Sequence, residues 1–154
     1  MPDPLHTGGC QCGAVRFRVT GPTEQASLCH CRMCQKAHAA PAIAWLTVAA
    51  EQFAWTRGEP ASFRSSAKAA RTFCARCGTP LTFRLDGDAT LDIAVAAFDR
   101  PQDFPPVRQY GIEARMNWIA DAAGLPGKEA GPCPGSFQHP DHDTAEWPVD
   151  ARHG

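Results

Sequence analysis

Apolar and polar residues alternate along several short stretches of the chain, which is the pattern of strands that bury one face. Val15, Phe17 and Val19 alternate with arginines in the first of these stretches. Residues 81–85 and 91–95 repeat the pattern on either side of an Asp-Gly-Asp turn. Two alternating runs joined by such a turn predict a β-hairpin.

Other stretches show weaker patterns, which also favour strands over helices. Residues 41–48 form an apolar run that is typical of a buried strand. Short strands are predicted at Phe53 with Trp55 and near Phe63, on either side of a turn that contains Gly and Pro. A helical pattern is weak and confined to residues 112–123. With 14 Pro and 13 Gly among 154 residues, the chain is predicted to be mainly β.

The composition changes at residue 124. Residues 1–123 are predicted to form one domain, a length that can bury a core without disulfides. Residues 124–154 are rich in Pro, Gly, Asp and His. We interpret them as an irregular C-terminal tail that wraps the domain or is partly disordered.

Charge and hydropathy exclude several classes of partner. Lys and Arg total 15 against 16 Asp and Glu, a formal net charge of −1, which is unsuited to binding nucleic acid. No apolar stretch is long enough to span a membrane, and the N-terminus lacks the pattern of a secretory signal. We therefore expect a cytoplasmic protein with reduced thiols. Eight Cys in such a protein indicate metal binding or catalysis rather than disulfides.

Seven of the eight cysteines lie in three clusters. These are Cys10 and Cys12, then Cys29, Cys31 and Cys34, and then Cys74 and Cys77. Two thiolates separated by two residues can face one Zn²⁺ at about 2.3 Å from each sulfur, and Gly78 can turn the following chain with a positive φ. A thioredoxin-like redox pair is the rival interpretation of Cys74 and Cys77, but it requires a helix after the motif, where strand residues follow here.

A structural zinc takes four protein ligands. Cys10 and Cys12 lie on the same face of an extended segment, and both two-cysteine clusters abut a predicted strand. If those strands are neighbours, their four thiolates converge. The first and third clusters are therefore predicted to share one closed structural zinc, held by Cys10, Cys12, Cys74 and Cys77.

The second cluster has three thiolates, which is the protein ligand count of a catalytic zinc with one open position. We interpret Cys29, Cys31 and Cys34 as the ligands of this second zinc. The side chain of His30 is expected to point away from its two neighbouring cysteines. Cys133 or a histidine of the tail remains an alternative fourth ligand.

The other polar candidates are interpreted as ordinary surface residues. Cys133 is expected to be a free thiol, and His139 and His142 to be solvated residues of the tail. Four cations lie close to the cysteines in sequence, and each is more often a solvated residue than part of a site. They are Arg32, Lys36, Arg71 and Arg76.

The three clusters and their surroundings resemble the glutathione-dependent formaldehyde-activating enzyme family, which includes the domain of centromere protein V. The matching stretches are Gly9–Phe17, Cys29–Lys36 and Phe73–Leu81, and their order and separation extend the resemblance over about residues 5–118. This resemblance implies an Mss4-like zinc-binding β-sheet fold. It also implies the same division of the seven cysteines between a structural and a catalytic zinc. Many members have Gly at the position of Ala39 and His at that of Tyr110.

The family resemblance implies a carbon–sulfur lyase-type activity that joins formaldehyde to glutathione as S-hydroxymethylglutathione. We therefore predict a zinc enzyme whose partners are a small thiol such as glutathione and an aldehyde. Arg32, Lys36 or Arg76 could pair with the carboxylates of the thiol substrate, since Arg suits carboxylates. The alternatives are a non-enzymatic zinc module that binds a protein or another partner, and a redox-sensing thiol protein. The sequence leaves an oligomer open.

Overall fold

Ten strands in two sheets form the framework of the computed structural model, which describes residue 1 and residues 3–146. The strands are β1 (Leu5–Gly9), β2 (Arg16–Thr20), β3 (Ala26–Cys29), β4 (Ile43–Ala49), β5 (Phe53–Arg57), β6 (Ala61–Ser66), β7 (Ala69–Phe73), β8 (Pro80–Leu85), β9 (Thr90–Ala94) and β10 (Pro106–Tyr110). The α-helix α1 spans Arg32–His38. Short 3-10 helices span Ala50–Gln52, Val95–Ala97, Pro101–Asp103, Ile112–Ala114 and Ile119–Gly124. The predominance of strands over helices confirms the prediction of a mainly β fold.

The smaller sheet has the strand order β1-β2-β5, and the larger one has the order β10-β3-β4-β9-β8-β7-β6. Neighbouring strands are antiparallel except for β10 and β3, which are parallel. The predicted hairpin is the pair β8 and β9, in which Thr82 lies opposite Ile93. The apolar run at residues 41–48 becomes β4, in the middle of the larger sheet.

The helical content differs from the prediction in two places. Residues 112–123 form no continuous helix, but two separate 3-10 segments. The helix α1, which the pattern did not reveal, has Cys31 as its N-cap, and the Cys31 sulfur accepts a hydrogen bond from the Cys34 N–H. Its C-cap is Ala39, a non-glycine residue with a left-handed φ of 49°. A helix of seven residues is too short for apolar periodicity to show.

The core lies between the two sheets. Phe17 of β2 is fully buried and packs on Phe53 and Phe98, with ring centroids 5.5 and 5.1 Å apart. Leu46 and Ile93 of the larger sheet lie opposite each other in register and are also fully buried. Cys10, Cys12 and Cys74 belong to the same buried cluster. The first group of cysteines is therefore part of the core rather than an appendage to it.

Parts of the C-terminal segment pack on the domain. The His139 N–H donates to the carbonyl of Gln11 at 2.7 Å, and Arg57 donates to the Thr144 carbonyl. His139 is only 4% exposed, so its interpretation as a solvated residue is wrong. The division of the chain at residue 124 stays a prediction, and residues 147–154 of the tail lie outside the described residues. Among the described residues, no helix combines the length and the hydropathy needed to cross a bilayer.

A buried ion pair joins β2 to the chain that follows the Val95–Ala97 helix. Arg16 alternates with apolar residues but is only 2% exposed. Its guanidinium donates to both carboxylate oxygens of Asp99, at 2.8 and 2.5 Å, and to Asp143 of the tail at 2.8 Å. Burial raises the pKa of Asp99, but hydrogen bonds from Arg16 and Thr7 outweigh it, so the pKa lies below its usual value.

We predict that Asp99→Asn destabilises the protein by about 3 kcal/mol, because it removes the buried partner of Arg16 and leaves only Asp143, whose side chain is 51% exposed. Urea denaturation at pH 7 measures the change. Asp86→Asn is the matched control, since the Arg64–Asp86 pair has similar contacts, but its side chains are 52% and 57% exposed. Little change is expected there. An equal effect of both variants would contradict the prediction.

The pH dependence has a definite sign. A carboxylate whose pKa is lower in the folded state stabilises that state above its unfolded pKa of about 4, and loses this effect as the pH falls further. The stability difference between the parent and Asp99→Asn should therefore shrink in denaturation measurements below about pH 4.

Candidate metal centres and a neighbouring cavity

The first candidate metal centre joins the two sheets. Cys10 and Cys12 follow β1, and Cys74 and Cys77 lie between β7 and β8. All four sulfur atoms lie within 4.8 Å of one another, with 3.6 Å between Cys10 and Cys12 and 3.9 Å between Cys12 and Cys74. Two segments far apart in sequence thus bring four thiol groups to one point, which is the arrangement required of a closed four-sulfur site.

Backbone and hydroxyl donors surround these sulfurs. The Val15 N–H donates to the Cys10 sulfur at 3.3 Å, and the Thr79 hydroxyl lies 3.1 Å from the Cys77 sulfur. Gly78 has the expected positive φ, 80°, and its N–H donates to the Cys74 carbonyl. That turn directs the chain back so that Thr79 reaches Cys77. Hydrogen bonds of this kind favour the thiolate form of a cysteine.

The second candidate centre is formed at the start of α1. Cys29 ends β3, Cys31 is the N-cap of α1, and Cys34 lies in its first turn. Their sulfur atoms lie within 4.8 Å of one another. Gly111 packs directly against Cys31. It has a φ of 65°, and a Cβ there would lie 2.7 Å from the Cys31 nitrogen. The close packing of this glycine holds β10 against the cysteine loop.

Only three ligands converge at this second centre within the described chain. His30 is almost fully buried, and its Nε2 lies 2.8 Å from the Gln109 side-chain oxygen, so it turns away from the cysteines as expected. Its Nδ1 has no hydrogen-bond partner in the part of the chain that the structure describes. Cys133 is exposed and does not join the group. Cys29 and Cys31 are half-buried, so one side of the group is accessible.

The donor chemistry of both centres fits zinc. Burial raises the pKa of Cys10 and of Cys12. Burial also acts to raise the pKa of Cys77, but the Thr79 hydroxyl and N–H outweigh it and lower that pKa to about 6. The second centre repeats this division. Burial raises the pKa of Cys29; it also acts to raise that of Cys31, but hydrogen bonds from neighbouring groups outweigh it and lower that pKa. Each group of thiols therefore resists full ionisation alone, and a divalent cation that binds thiolates would displace the protons.

A cavity of about 330 Å³ lies beside the first centre, where Cys10 lines it. Ile43 and Ala94 also line it, and they pack in the same apolar group as Cys34 of the second centre. Residues 138–141 of the tail line another side. His38 also lines the cavity, and burial together with the charge of Arg71 lowers its pKa to about 4. The cavity thus presents a neutral imidazole near neutral pH.

The cations near the cysteines occupy different environments. Arg32 and Lys36 are exposed on α1, where Arg32 donates to the Gln35 side chain at 2.8 Å. Arg76 is exposed in the loop between Cys74 and Cys77. None of these three lines the cavity beside the first centre. Their proposed role towards a substrate carboxylate stays a prediction.

Arg71 differs from the prediction of a solvated residue, which is wrong. It is only 4% exposed, and it donates to the Cys34 sulfur at 3.3 Å. Alternation along β7 could have indicated this, since Ala69 on the same face is also buried. No comparable signal marked His139, because its burial depends on the path of an irregular segment.

Comparison with known proteins gives a family and a fold. A family model described as glutathione-dependent formaldehyde-activating enzyme matches residues 5–113. A crystal structure of a Rhodobacter sphaeroides protein is similar, with a TM-score of 0.55 and 21% sequence identity. The alignment covers 67% of this chain and 98% of that one. At this identity the likeness to the solved structure supports the fold alone.

We predict that Cys74→Ser releases the metal of the four-sulfur centre and abolishes folding or lowers the melting temperature by at least about 10 °C, because a structural zinc contributes directly to folding. Metal analysis and thermal denaturation are the measurements. Cys133→Ser is the matched control, since it removes an exposed cysteine outside both centres. A Cys74→Ser protein that melts like this control would contradict the assignment of a closed site.

Proposed function

Since the chain belongs to the glutathione-dependent formaldehyde-activating enzyme family, we propose that it is a zinc-dependent carbon–sulfur lyase-type enzyme acting on a thiol or a thiol–aldehyde adduct. One observation carries the proposal: three cysteine sulfurs converge without a fourth ligand in the described chain. A closed structural site takes four protein ligands. Glutathione and formaldehyde are the substrates to test first.

In this proposal the seven clustered cysteines have two roles. Cys10, Cys12, Cys74 and Cys77 hold a structural zinc, and Cys29, Cys31 and Cys34 hold a second one. A zinc ion held by Cys29, Cys31 and Cys34 would supply Lewis acidity that stabilises a substrate sulfur as a thiolate. A cytoplasmic location, in which thiols stay reduced, suits both sites.

The reaction requires a sulfur nucleophile and a polarised carbonyl. A carbon–sulfur bond forms as the carbonyl π bond breaks, and the proton lost by the thiol ends on the new hydroxyl oxygen. His38 is the group on the cavity wall suited to the carbonyl. Its Nε2 faces an Arg71 N–H at 3.3 Å, so the neutral ring carries its proton on Nδ1. That N–H can donate to an aldehyde oxygen in the cavity.

Binding of the remainder of the thiol substrate is assigned to exposed cations. Arg32, Lys36 and Arg76 flank the two centres and can pair with the carboxylates of a glutathione-like molecule. Arg16 also lines the cavity, but Asp99 and Asp143 already satisfy its charge. It is therefore proposed as part of the framework and not as a substrate contact.

We predict that Cys31→Ser retains one of two zinc equivalents, keeps a cooperative melt and loses turnover. Zinc analysis, thermal denaturation and NMR exchange between formaldehyde and its glutathione adduct measure the three properties. The control is Cys133→Ser, which should behave like the parent. Loss of both metals together would contradict two independent sites, and a parent with two zinc ions but no exchange would favour the non-enzymatic zinc module.

Small thiols are predicted to bind at the second centre. In the cobalt-substituted protein, glutathione should intensify the sulfur-to-cobalt charge-transfer band of this centre and leave the four-sulfur centre unchanged. Difference spectra of the parent and Cys31→Ser separate the two contributions. If the parent spectrum does not change at saturating thiol, direct thiol coordination is wrong.

A further inference from the structure

Arg71 occupies an unusual place for an arginine. It lies in β7, between β6 and β8, and it is only 4% exposed. Its Nε donates to the Ser65 hydroxyl at 2.9 Å, and its Nη1 faces the His38 Nε2 at 3.3 Å. The remaining nitrogen, Nη2, donates to the Cys34 sulfur at 3.3 Å. Every nitrogen of the guanidinium thus has a defined partner.

None of these partners is a carboxylate, and Arg71 forms no ion pair with any residue that the structure describes. Burial raises the pKa of the Asp92 carboxyl, and the charge of Arg71 acts in the opposite direction without outweighing it. The Asp92 carboxyl accepts its hydrogen bond from Thr47. The faces of Phe83 and Trp45 lie near the guanidinium, with ring centroids 4.8 and 5.7 Å from Cζ. Aromatic faces stabilise a cation only in part.

A guanidinium stays positively charged at any physiological pH. Burying a charge without an opposite charge in contact with it is costly. A neutral thiol, imidazole and hydroxyl do not supply one, and the Asp92 carboxyl interacts with Arg71 without a hydrogen bond to it. The Cys34 sulfur is the one partner that becomes an anion when the second centre binds a metal. Three thiolates on a divalent cation leave one net negative charge, which the guanidinium cancels.

We propose that Arg71 is a positioning residue for the second centre, where it balances the charge of the metal–thiolate group through Cys34. This inference rests on the proposed function only in that Cys29, Cys31 and Cys34 hold a metal. The hydrogen bond to sulfur also lowers the electron donation of Cys34, which preserves the Lewis acidity of the metal. A site made neutral in this way accepts a further anionic sulfur at lower electrostatic cost.

The same guanidinium links the second centre to the cavity. Nη2 contacts Cys34, and Nη1 determines which nitrogen of His38 carries the proton. The charge of the metal site and the orientation of the cavity imidazole therefore depend on one side chain. Lysine cannot reproduce this arrangement, because a single ammonium lacks the planar fork of donors.

The test uses the full chain loaded with cobalt and compares the parent with Arg71→Met, Arg71→Lys and the control Arg84→Met. Arg84 is exposed on the neighbouring strand β8. Chelator competition should show at least tenfold weaker cobalt binding at the second centre of Arg71→Met, with the four-sulfur centre unchanged. Its charge-transfer band should move to longer wavelength, because the sulfur loses a donor. Arg71→Lys should be intermediate and Arg84→Met should match the parent.

Parent-like affinity and spectrum in Arg71→Met would overturn the inference, and so would equal losses in the Met and Lys variants, since the charge would then be irrelevant. If Arg71→Met does not fold, Arg71→Lys decides: an intermediate affinity supports the inference, and a parent-like one refutes it. A parent that binds a single cobalt ion overturns the proposed function as well. Two bound ions with no effect at Arg71 overturn this inference alone.

Discussion

The structure depends on the convergence of four cysteine sulfurs from two segments that lie 62 residues apart between Cys12 and Cys74. One segment leaves the smaller sheet and the other connects β7 to β8 of the larger sheet. The sulfurs lie within the buried core, so the position of the metal centre and the packing of Phe17 constrain each other. The loops that carry the cysteines also carry the hydrogen-bond donors that favour thiolates. The same residues therefore determine both the site and the fold.

Two buried arginines show how this small core accommodates positive charge. Arg16 is held by Asp99 and Asp143, and the result is a link between β2, the chain after β9 and the tail. Arg71 instead meets sulfur, imidazole and hydroxyl groups. The first arrangement stabilises the framework with charges present in the chain itself. The second is complete only when its sulfur partner is ionised, which ties the electrostatics of β7 to the state of the second centre.

The sequence predicted the features that depend on local chemistry. Cysteine spacing identified both groups of sulfurs, and alternation identified β2 and the β8–β9 hairpin. The family was also correctly identified. The missed features are tertiary: α1 is stabilised by Cys31 as its cap rather than by an apolar face. His139 is buried by segments distant in sequence, and no pattern within its own segment marks this. The burial of Arg71 follows the alternation of β7, but the partners of its guanidinium come from other elements.

The spacing of the cysteines also has a consequence for synthesis on the ribosome. Cys29, Cys31 and Cys34 lie within six residues, so their loop leaves the exit tunnel almost as a unit. Cys10 and Cys12 emerge first, but their partners follow only after some 60 residues, or several seconds at about 5–20 residues per second. The local centre can therefore close on the nascent chain while the one that joins the two sheets is still incomplete. Translation thus makes the locally encoded centre available before the one that joins the two sheets.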